Sequence, residues 1–401
     1  MARSKMKKMG LLFLAALLLS IWSPIGGSTS YAKVLKFGTT IPLSGPAAPW
    51  GIQITRMLDM ACDDINKAGG LKVGDTVYKL ETVFYDCKGL PSEAAAMANR
   101  LVFKDKIKYI FGGVIAATGE AILPITTPEK VVTTSYWWGK KILSQKRPYS
   151  FRQTVSQYEI VPAFYDWIHK NHPEIKTFAQ IGPNDTSGWD TAAAIKEAAK
   201  KAGMKLAAEE FFERGTKDMY PFLTRIVAKK PDLIDFGGCP PGDGAIAVKQ
   251  LYELGYRGNK AWSCGTDPKL TIKLTGKACE GIWFSYGHDL EGPNATQQTK
   301  ELARRYKAKY GDALTVAATI ELAIVEIFTQ AMKKAGTIDV DRVIKTIEKT
   351  KRFNTSYGPF VLTGKDYYGI DRQFVHFMML GVAKGGKLVE VSPLPMPGLG
   401  K

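Results

Sequence analysis

The fold is indicated by residues 34–46, which read VLKFGTTIPLSGP. Residues 34–41 are rich in the β-branched and aromatic types that favour a strand, and the Pro and Gly residues that follow predict a turn. After this turn the apolar residues recur at helical spacing until two glycines stop the helix: Ile54, Leu58, Ala61 and Ile65, then Gly69 and Gly70. A strand that turns into an amphipathic helix is the first half of a βαβ unit.

The same alternation continues through most of the chain. Further strands are predicted over 79–85, 109–112 and 131–135, and then over 178–181, 205–212, 233–236, 260–264 and 281–286. Helical patterns lie between them, which is typical of parallel sheets covered by helices on both faces. We therefore predict an α/β fold of two doubly wound, Rossmann-like units in tandem.

The last part of the chain does not form a third unit. It holds helical patterns over 299–310, 316–335 and 340–349, and strand-like runs over 360–362 and 374–380. The helix over 316–335 contains Glu321, Glu326 and Gln330, so we interpret it as a buried core helix and not as a membrane span. These late elements must complete sheets begun earlier, which means that the chain passes between the two units several times.

Composition narrows the class of protein. The 401 residues are 45% hydrophobic and 23% charged, which excludes a collagen-like, disordered or disulfide-dense chain and suits a globular protein of two domains. A formal charge of +17 suggests at first a polyanionic partner. The basic residues are, however, spread over helical patterns interleaved with Ala and Glu, and no nucleic-acid-binding motif occurs. We therefore predict no nucleic-acid partner.

Residues 1–32 have the pattern of a secretory signal peptide. A basic start with Arg3 and Lys5 precedes an apolar run over 11–22, and small residues lead to Ala32. The apolar run is too short to cross a hydrocarbon core of about 30 Å. No cysteine precedes Cys62, so no thiol near the cleavage site is available for lipid attachment. We predict cleavage after Ala32 and a soluble, periplasmic protein without a lipid anchor.

Signals for catalysis or for a metal are weak. The pair His169 and His172 has no third ligand at a suitable spacing, and the sequence has no phosphate-binding loop, zinc-protease motif or C-x-x-C motif. The segment around Ser187 lacks the glycine that a nucleophile elbow requires. We therefore predict that the protein is no enzyme and has no catalytic residue, metal or cofactor.

Five cysteines are an odd number for a chain that enters an oxidising compartment. Cys62 lies on the core side of the first predicted helix and Cys87 follows the strand that this helix covers, so this pair is our disulfide candidate. Two buried thiols fit the pattern nearly as well. Cys239 and Cys264 each end a strand and form a second possible pair, which would leave Cys279 free.

Candidate ligand-binding residues follow the strands, because open α/β sheets bind ligands at the carboxyl ends of their strands. In the first unit three tryptophans occupy such positions, Trp50, Trp137 and Trp138, which favours an apolar or aromatic surface for a ligand. Residues 116–118 begin a helix, and the N–H groups of a helix start can bind an anion.

These candidates are completed by the remaining residues at strand ends. In the first unit they are Ala116, Ala117 and Thr118, and in the second unit they are Ser187, Cys239 and Asp267.

A series of short motifs connects these positions. It comprises residues 41–46 with Trp50-Gly51, Asp64-Ile65-Asn66 with Gly69-Gly70, residues 108–113 (KYIFGG), Asn184-Asp185 with Gly188, Phe236-Gly237-Gly238, Leu254-Gly255, Glu280-Gly281 and Tyr357-Gly358-Pro359. In this order and spacing the chain resembles, over its whole mature length, the periplasmic solute-binding proteins of branched-chain amino acid ABC importers.

The resemblance implies a type I periplasmic-binding-protein fold, in which a three-segment hinge joins two lobes. The crossings would lie near Thr154, His288 and Pro359. Lobe 1 would contain residues 33–153 and 288–358, and lobe 2 would contain residues 154–287 and 359–401.

The resemblance also implies roles for the candidate residues. Trp50 would form an aromatic wall of the site, Ala116 and Thr118 would lie in the loop that binds the ligand carboxylate, and Asp267 would pair with the ligand's ammonium group. The other pocket-lining positions would be Ser187 and Cys239.

The sequence departs from that family where the amino acid backbone would be held. Ala116 stands in place of a hydroxyl residue, and Trp137 and Gly139 replace a small residue and a threonine. A lost hydrogen bond to a charged group costs about 1.5–3 kcal/mol unless another group such as Thr118 replaces it. Aliphatic amino acids, aromatic amino acids, aromatic acids and amides therefore all stay open as ligands.

We predict a substrate-binding component of an ABC importer that acts as a monomer. It would capture an amino acid or a related small organic acid or amide by hinge closure and deliver it to a permease in the inner membrane. The alternative is a ligand sensor of the same fold that docks to a membrane receptor, which the sequence hardly separates from transport. An enzyme is a third hypothesis, based only on the crevice and Asp267.

Overall fold

The computed structural model describes residues 33–45, 47–287, 290 and 295–399. The strands are β1 (Lys33–Ile41), β2 (Leu71–Val73), β3 (Thr76–Asp86), β4 (Tyr109–Gly113), β5 (Val132–Ser135), β6 (Ser150–Arg152), β7 (Thr177–Pro183), β8 (Lys205–Phe212), β9 (Leu233–Asp235), β10 (Asn259–Trp262), β11 (Ile282–Tyr286), β12 (Arg352–Thr355), β13 (Gly358–Thr363), β14 (Gln373–Val375), β15 (Met378–Lys384) and β16 (Lys387–Leu394). The α-helices are α1 (Ala48–Lys67), α2 (Pro91–Asn99), α3 (Ala116–Thr126), α4 (Gln157–Asn171), α5 (Thr186–Lys201), α6 (Tyr220–Ala228), α7 (Pro241–Glu253), α8 (Pro268–Thr275), α9 (Gln297–Tyr310), α10 (Val316–Ala335), α11 (Val340–Thr350) and α12 (Lys365–Tyr368). The predicted signal peptide, residues 1–32, lies outside the described residues.

Two sheets organise the part of the chain that the structure describes. The first has nine strands in the order β12-β13-β14-β6-β5-β4-β1-β3-β2, and the second has seven in the order β16-β15-β11-β10-β9-β7-β8. The central pairs are parallel, and antiparallel pairs lie towards the edges. The predicted α/β fold of two doubly wound lobes is therefore confirmed.

The core of the first lobe explains why the opening segment is decisive. Leu35 and Phe37 of β1 lie in one apolar cluster with Leu58 of α1 and Phe328 of α10. The rings of Phe37 and Phe111 are 5.0 Å apart between centroids, and Phe111 contacts Phe328 in turn at 5.2 Å. Helix α10 is thus a core helix, as we predicted from its polar residues. Among the residues described, no helix has both the length and the apolarity of a membrane span.

The chain passes between the sheets at three places. It leaves the first sheet between β6 and α4, returns to it between β11 and α9, and leaves it again between β14 and β15. The second passage includes His288, which lies outside the described residues.

The third passage differs from the prediction near Pro359. Pro359 lies in β13, where it is paired with Asn354 of β12, and β13 pairs in turn with β14 of the same sheet. Residues 359–375 therefore belong to the first sheet and not to the second lobe. We expected one strand over 374–380, but the chain crosses at His376 and Phe377, so that this apolar run supplies β14 to one sheet and β15 to the other.

The disulfide candidate Cys62–Cys87 is wrong, because the two thiols are free and lie in separate apolar clusters. Cys62 packs with Leu58 in the cluster of β1 and α10, whereas Cys87 packs with Ala94 of α2 in another. The other three cysteines are also free and buried, which contradicts the second possible pair as well. Burial raises the pKa of the Cys87 thiol, which keeps it protonated and unreactive at neutral pH.

Candidate functional site

The start of α3 is the anion-binding candidate of the first lobe. Its N-cap residue Ile115 provides no side-chain hydrogen bond to the first turn, so the leading backbone N–H groups are not capped by a side chain. Ala117 is exposed there, and Thr118 is buried with its hydroxyl donating to the carbonyl of Ile115 at 2.8 Å. The N–H groups of Ala116 and Ala117 are therefore not capped by the side chain of Ile115, whereas the hydroxyl of Thr118 already donates to the backbone.

Trp137 is a core residue in this structure, which corrects its prediction as ligand surface. It is only 2% exposed and packs in the cluster that contains Cys87 and Leu123. Its ring lies against two glycines, because a Cβ at Gly113 would lie 2.4 Å from the ring and a Cβ at Gly119 would lie 2.3 Å from it. Trp137 thus fills the space between β4 and the first turn of α3.

Trp138 follows directly and points to the second lobe. Its side chain packs against the apolar cluster that contains Cys264 and Phe178. A Cβ at Gly265 would lie 3.2 Å from Cη2 of Trp138 and 3.3 Å from Cα of Gly238. The loops after β5, β9 and β10 therefore meet at this indole.

Lys140 adds a polar contact beside the indole. Its backbone N–H donates to Oδ2 of Asp190 on α5 at 3.2 Å, and its ammonium lies 5.6 Å from the centroid of the Tyr158 ring. The segment from Trp137 to Lys140 is thus in contact with the second lobe through a ring and through its backbone.

The turn that precedes Trp50 is anchored by hydrogen bonds to Asp86. The carboxylate of Asp86 accepts from the backbone N–H of Leu43 at 2.8 Å and from the hydroxyl of Ser44 at 2.6 Å. Burial opposes the charge of Asp86, but these hydrogen bonds, with that of Lys88, outweigh it and lower its pKa. The turn before α1 is fixed in this way, and Trp50 in the first turn of that helix is 55% exposed. Its indole is therefore exposed, and its role as a wall of the ligand site stays a prediction.

In the second lobe, two of the predicted residues lie at helix starts. Ser187 is half-buried in the first turn of α5, whose N-cap Asp185 accepts from the N–H of Gly188 at 3.0 Å. Asp267 is the N-cap of α8 and accepts from the N–H of Leu270 at 3.0 Å while remaining exposed. Both positions are reachable by a solute.

Cys239 is not reachable, which corrects its prediction as a pocket residue. Its side chain is fully buried in the core of the second lobe. The thiol donates to the carbonyl of Ile181 at 3.2 Å, and burial raises its pKa well above the usual value. Cys239 therefore holds β9 against β7 and offers nothing to a ligand.

Arg152 holds the backbone on both sides of Trp138. Its Nε donates to the carbonyl of Trp137 and its Nη2 to the carbonyl of Gly139 at 2.7 Å. The carbonyl of Trp138 itself accepts from Nε2 of Gln157 at 3.1 Å. All three carbonyls of residues 137–139 are thus bound by side chains from the segment where the chain leaves the first sheet.

The guanidinium of Arg152 is buried, and its positive charge is balanced by the carboxyl of Glu159 at the start of α4. Its Nη1 donates to the hydroxyl of Tyr368 at 2.8 Å, and this hydroxyl donates to Oε1 of Glu159 at 3.2 Å. Glu159 forms a capping box with Ser156 at the start of α4. Burial raises the pKa of Glu159, and the charge of Arg152 and the Ser156 hydrogen bonds act against that rise. Buried charges are tolerated only when they are paired in this way.

A second buried carboxyl lies beside the first crossing. Oε2 of Glu321 accepts from Nε2 of Gln153 at 2.7 Å, and burial raises the pKa of Glu321 to about 7. The next residue, Thr154, pairs through its hydroxyl with Nε2 of His376 at 3.0 Å, which links the first crossing to the third.

Sequence reasoning missed Arg152, Gln157, Glu159 and Tyr368. One signal was available, because an arginine directly after the apolar Phe151 in a buried strand must find partners in the interior. Its partners come from residues 137, 139, 368 and 373, and no spacing rule connects those positions. Gly265, which lies against the ring of Trp138, belongs to none of the motifs that the sequence analysis identified.

A metal centre finds no support. Within the described ranges, no group of three or more His, Cys, Asp or Glu side chains is arranged to hold a metal ion. His172, which we weighed as a ligand, instead contacts the Trp283 ring at 4.5 Å between centroids and Glu174 at 3.1 Å.

Comparison with known proteins identifies a family and individual relatives of this chain. A family model described as periplasmic binding protein matches residues 34–387. Among curated proteins, the leucine-, isoleucine-, valine-, threonine- and alanine-binding protein of Pseudomonas aeruginosa is 26% identical over 341 residues, which cover 83% of this chain and 88% of that protein.

Solved structures share the fold. A branched-chain amino acid transporter substrate-binding protein of Streptococcus pneumoniae, in complex with isoleucine, has a TM-score of 0.73 at 20% identity and covers 90% of this chain and 100% of its own. A solute-binding protein of an ABC transporter from Rhodopseudomonas palustris, in complex with 3,4-dihydroxybenzoic acid, has a TM-score of 0.73 at 23% identity and covers 91% of this chain and 99% of its own. These two proteins share the fold of this chain and were solved with different ligands.

Proposed function

The chain belongs to the periplasmic binding protein family, and from that premise we propose that it captures a small carboxylate-bearing solute between its lobes for an ABC importer. The family consists of solute-binding proteins and not of enzymes, which agrees with our prediction. Binding would shift the population from open to closed lobes, and the closed form would be presented to the permease.

One observation carries this proposal. The segment that carries Trp138 packs on the uncapped first turn of α3, because the ring of the preceding residue, Trp137, lies against Gly119 of that turn. The turn offers N–H donors for an anionic group, and the indole offers apolar surface that already contacts the second lobe. A carboxylate bound at α3 would thus place the rest of the solute near the contact between the lobes.

The second lobe supports the same class of solute. We propose Ser187 and Asp267 as its contacts, because both are reachable at helix starts. An amino acid would use the carboxylate of Asp267 for its ammonium group, whereas an aromatic acid would depend on Trp50 and Trp138. These two solute classes match the ligands in the structures from S. pneumoniae and R. palustris.

Membership of the family supports a proposal for the partner and the location. We propose a protein that is exported by residues 1–32, works in the periplasm as a monomer and docks to the permease of an ABC importer. Fractionation of cells that express the full chain, with size-exclusion chromatography and light scattering on the exported form, tests the location and the monomer. An unprocessed protein in the cytoplasmic fraction would contradict the location.

Thermal unfolding in the presence of solutes tests the function. Isoleucine, phenylalanine, benzoate, 3,4-dihydroxybenzoate and benzamide represent the classes left open by the sequence. A true ligand at one hundred times its dissociation constant should add about 2.7 kcal/mol to the free energy of unfolding. A protein whose melting temperature moves with no member of these classes would contradict the proposal.

A further inference from the structure

The loop that carries Trp138 is unusually constrained for a surface loop. Its three carbonyls are bound by Arg152 and Gln157, and Trp137 beneath it is locked between two glycines. A loop that folds around a solute would need conformational freedom at these residues, since loops at binding sites are commonly mobile. This loop is instead prearranged, and its direction is set from the hinge.

The surface that receives the indole is constrained as well. Oδ1 of Asp235, which is fully buried, accepts from the N–H of Gly237 at 2.8 Å and from the N–H of Ser263 at 3.1 Å. The N–H of Gly238 donates to the carbonyl of Cys264 at 2.9 Å. These hydrogen bonds tie the loops after β9 and β10 to each other.

Glycine makes this surface flat. Gly238 and Gly265 have φ of +79° and +85°, a conformation that side-chain-bearing residues rarely adopt. A Cβ at Gly265 would stand 3.2 Å from the Trp138 ring, closer than an ordinary contact. The absence of side chains here lets the indole of one lobe lie directly on the backbone of the other.

We propose that Trp138 is a prearranged closure contact, which favours the closed arrangement of the lobes before any solute arrives, and that Arg152 is the positioning residue that aims it. The proposal deepens the function proposed above and rests on it, because lobe closure has meaning only for a solute-binding protein. Contacts within the protein would then supply part of the free energy of lobe closure. A solute then has less to supply, and its dissociation is slowed by the indole contact.

Scattering and kinetics test the closure contact on the full exported chain. The ligand-free Trp138→Ala variant should have a larger radius of gyration than the parent. Its complex with whichever of isoleucine or 3,4-dihydroxybenzoate the parent binds should dissociate faster, on the order of tenfold, because contacts of the bound form act mainly on dissociation. Phe103→Ala is the matched control, since this exposed aromatic residue lies in the same lobe away from the strand ends. An unchanged radius and an unchanged dissociation rate in Trp138→Ala would overturn the proposal.

A double-mutant cycle separates the contact from backbone strain. Gly265→Ala should also enlarge the ligand-free protein, both by strain and by pushing the ring away. In the Trp138→Ala background the part caused by the ring should disappear and only the strain should remain, so that Gly265→Ala increases the radius less than it does in the parent. An undiminished effect in that background would show that strain alone acts and would overturn the contact.

The role of Arg152 needs a readout other than stability. Arg152→Lys keeps the charge opposite Glu159, but one ammonium group cannot bind the carbonyls on both sides of Trp138. Faster dissociation that is not additive with Trp138→Ala would support a positioning role. A lower melting temperature with an unchanged dissociation rate would contradict it. Failure of every solute to bind the parent would refute the proposed function, whereas the ligand-free scattering comparison would still decide the closure contact.

Discussion

Glu321 accepts a hydrogen bond from the side-chain amide of Gln153 at 2.7 Å, although its carboxyl is fully buried on α10. Gln153 is the residue that follows β6, so the bond joins a core helix of the first lobe to the start of the hinge. Burial raises the pKa of Glu321 from 4.5 to about 7, and the bond from Gln153 acts in the opposite direction.

Stability should therefore fall as the pH rises from about 5 to about 8. The folded protein holds the Glu321 proton more tightly than the unfolded chain, so its stabilising effect is present below pH 4.5 and is lost as the pH passes about 7. The upper limit of the change is about 3 kcal/mol at 1.36 kcal/mol per pKa unit. Glu321→Gln should be more stable than the parent at pH 8 and nearly equal to it at pH 5. Denaturant unfolding at both pH values measures this, with the exposed Glu120→Gln as control. A pH dependence that is the same with and without Glu321 would contradict the assignment.

Removal of the Arg152 side chain should destabilise the protein strongly. Arg152→Met would leave the buried carboxyl of Glu159 without the nearby positive charge and would free the carbonyls of Trp137 and Gly139. The cost of breaking a buried pair in this way is about 3–5 kcal/mol. Arg214→Met is the control, because that guanidinium pairs with Asp185 at the surface and is half exposed, and such pairs contribute less than about 1 kcal/mol. Equal midpoints of urea unfolding for the two variants would show that the Arg152 network is not a stabilising one.

A substitution of Gly119 shows which of two opposing effects is larger. Gly119→Ala should stabilise α3 by up to about 1 kcal/mol through helix propensity. The added Cβ would, however, lie 2.3 Å from the Trp137 ring, and overpacking of a core costs about 1–3 kcal/mol. We expect net destabilisation, and partial recovery in the double variant with Trp137→Phe, measured by thermal unfolding. A stabilised single variant would mean that the ring of Trp137 moves aside easily.

The strength of the sequence prediction lay in periodicity, and its errors lay in features that periodicity does not encode. The first strand and the helix that follows it were correctly predicted, because β1 and α1 each bury one regular set of side chains. The run over 374–380 was misassigned as one strand, since both of its halves are apolar and only the bond between Thr154 and His376 marks the crossing.

The site was predicted in the same uneven way. The start of α3 and the indole of Trp138 follow from the rule that ligands bind at strand ends. Trp137 satisfies the same rule and is nevertheless core, because two glycines distant from it in sequence leave room for its ring. Residue type and position cannot distinguish two adjacent tryptophans whose roles depend on what the rest of the fold leaves empty.

All five thiols should react in the unfolded chain without reductant. Cys62 and Cys87 lie in separate clusters and are both free, so oxidising export should not link them. A thiol titration of the exported protein in denaturant should therefore count five groups, and reductant should leave the melting temperature unchanged. A disulfide that closed this loop would contribute about 3 kcal/mol. A count of three, with a reductant-sensitive melting temperature, would contradict the arrangement.

A substitution of Ala117 should separate effects on folding from effects on binding at the start of α3. Ala117 is exposed in a first turn without a side-chain cap, and an acidic residue in a first turn interacts favourably with the helix dipole. Ala117→Asp should therefore keep or slightly raise the melting temperature. The same negative charge would compete with a solute carboxylate for the N–H groups and repel it, so the affinity for benzoate or isoleucine should fall about tenfold or more, which corresponds to about 1.4 kcal/mol.

The neutral, nearly isosteric Ala117→Asn is the matched control, and benzamide is the matched ligand. Calorimetric titration should show a large loss only for the pairing of Asp with a carboxylate, and small losses for Asn with a carboxylate or Asp with the amide. An equal loss for both substitutions would indicate a steric effect, and no loss for either would place the carboxylate away from α3. Because the substitution acts oppositely on stability and on affinity, a misfolded variant cannot imitate the expected result.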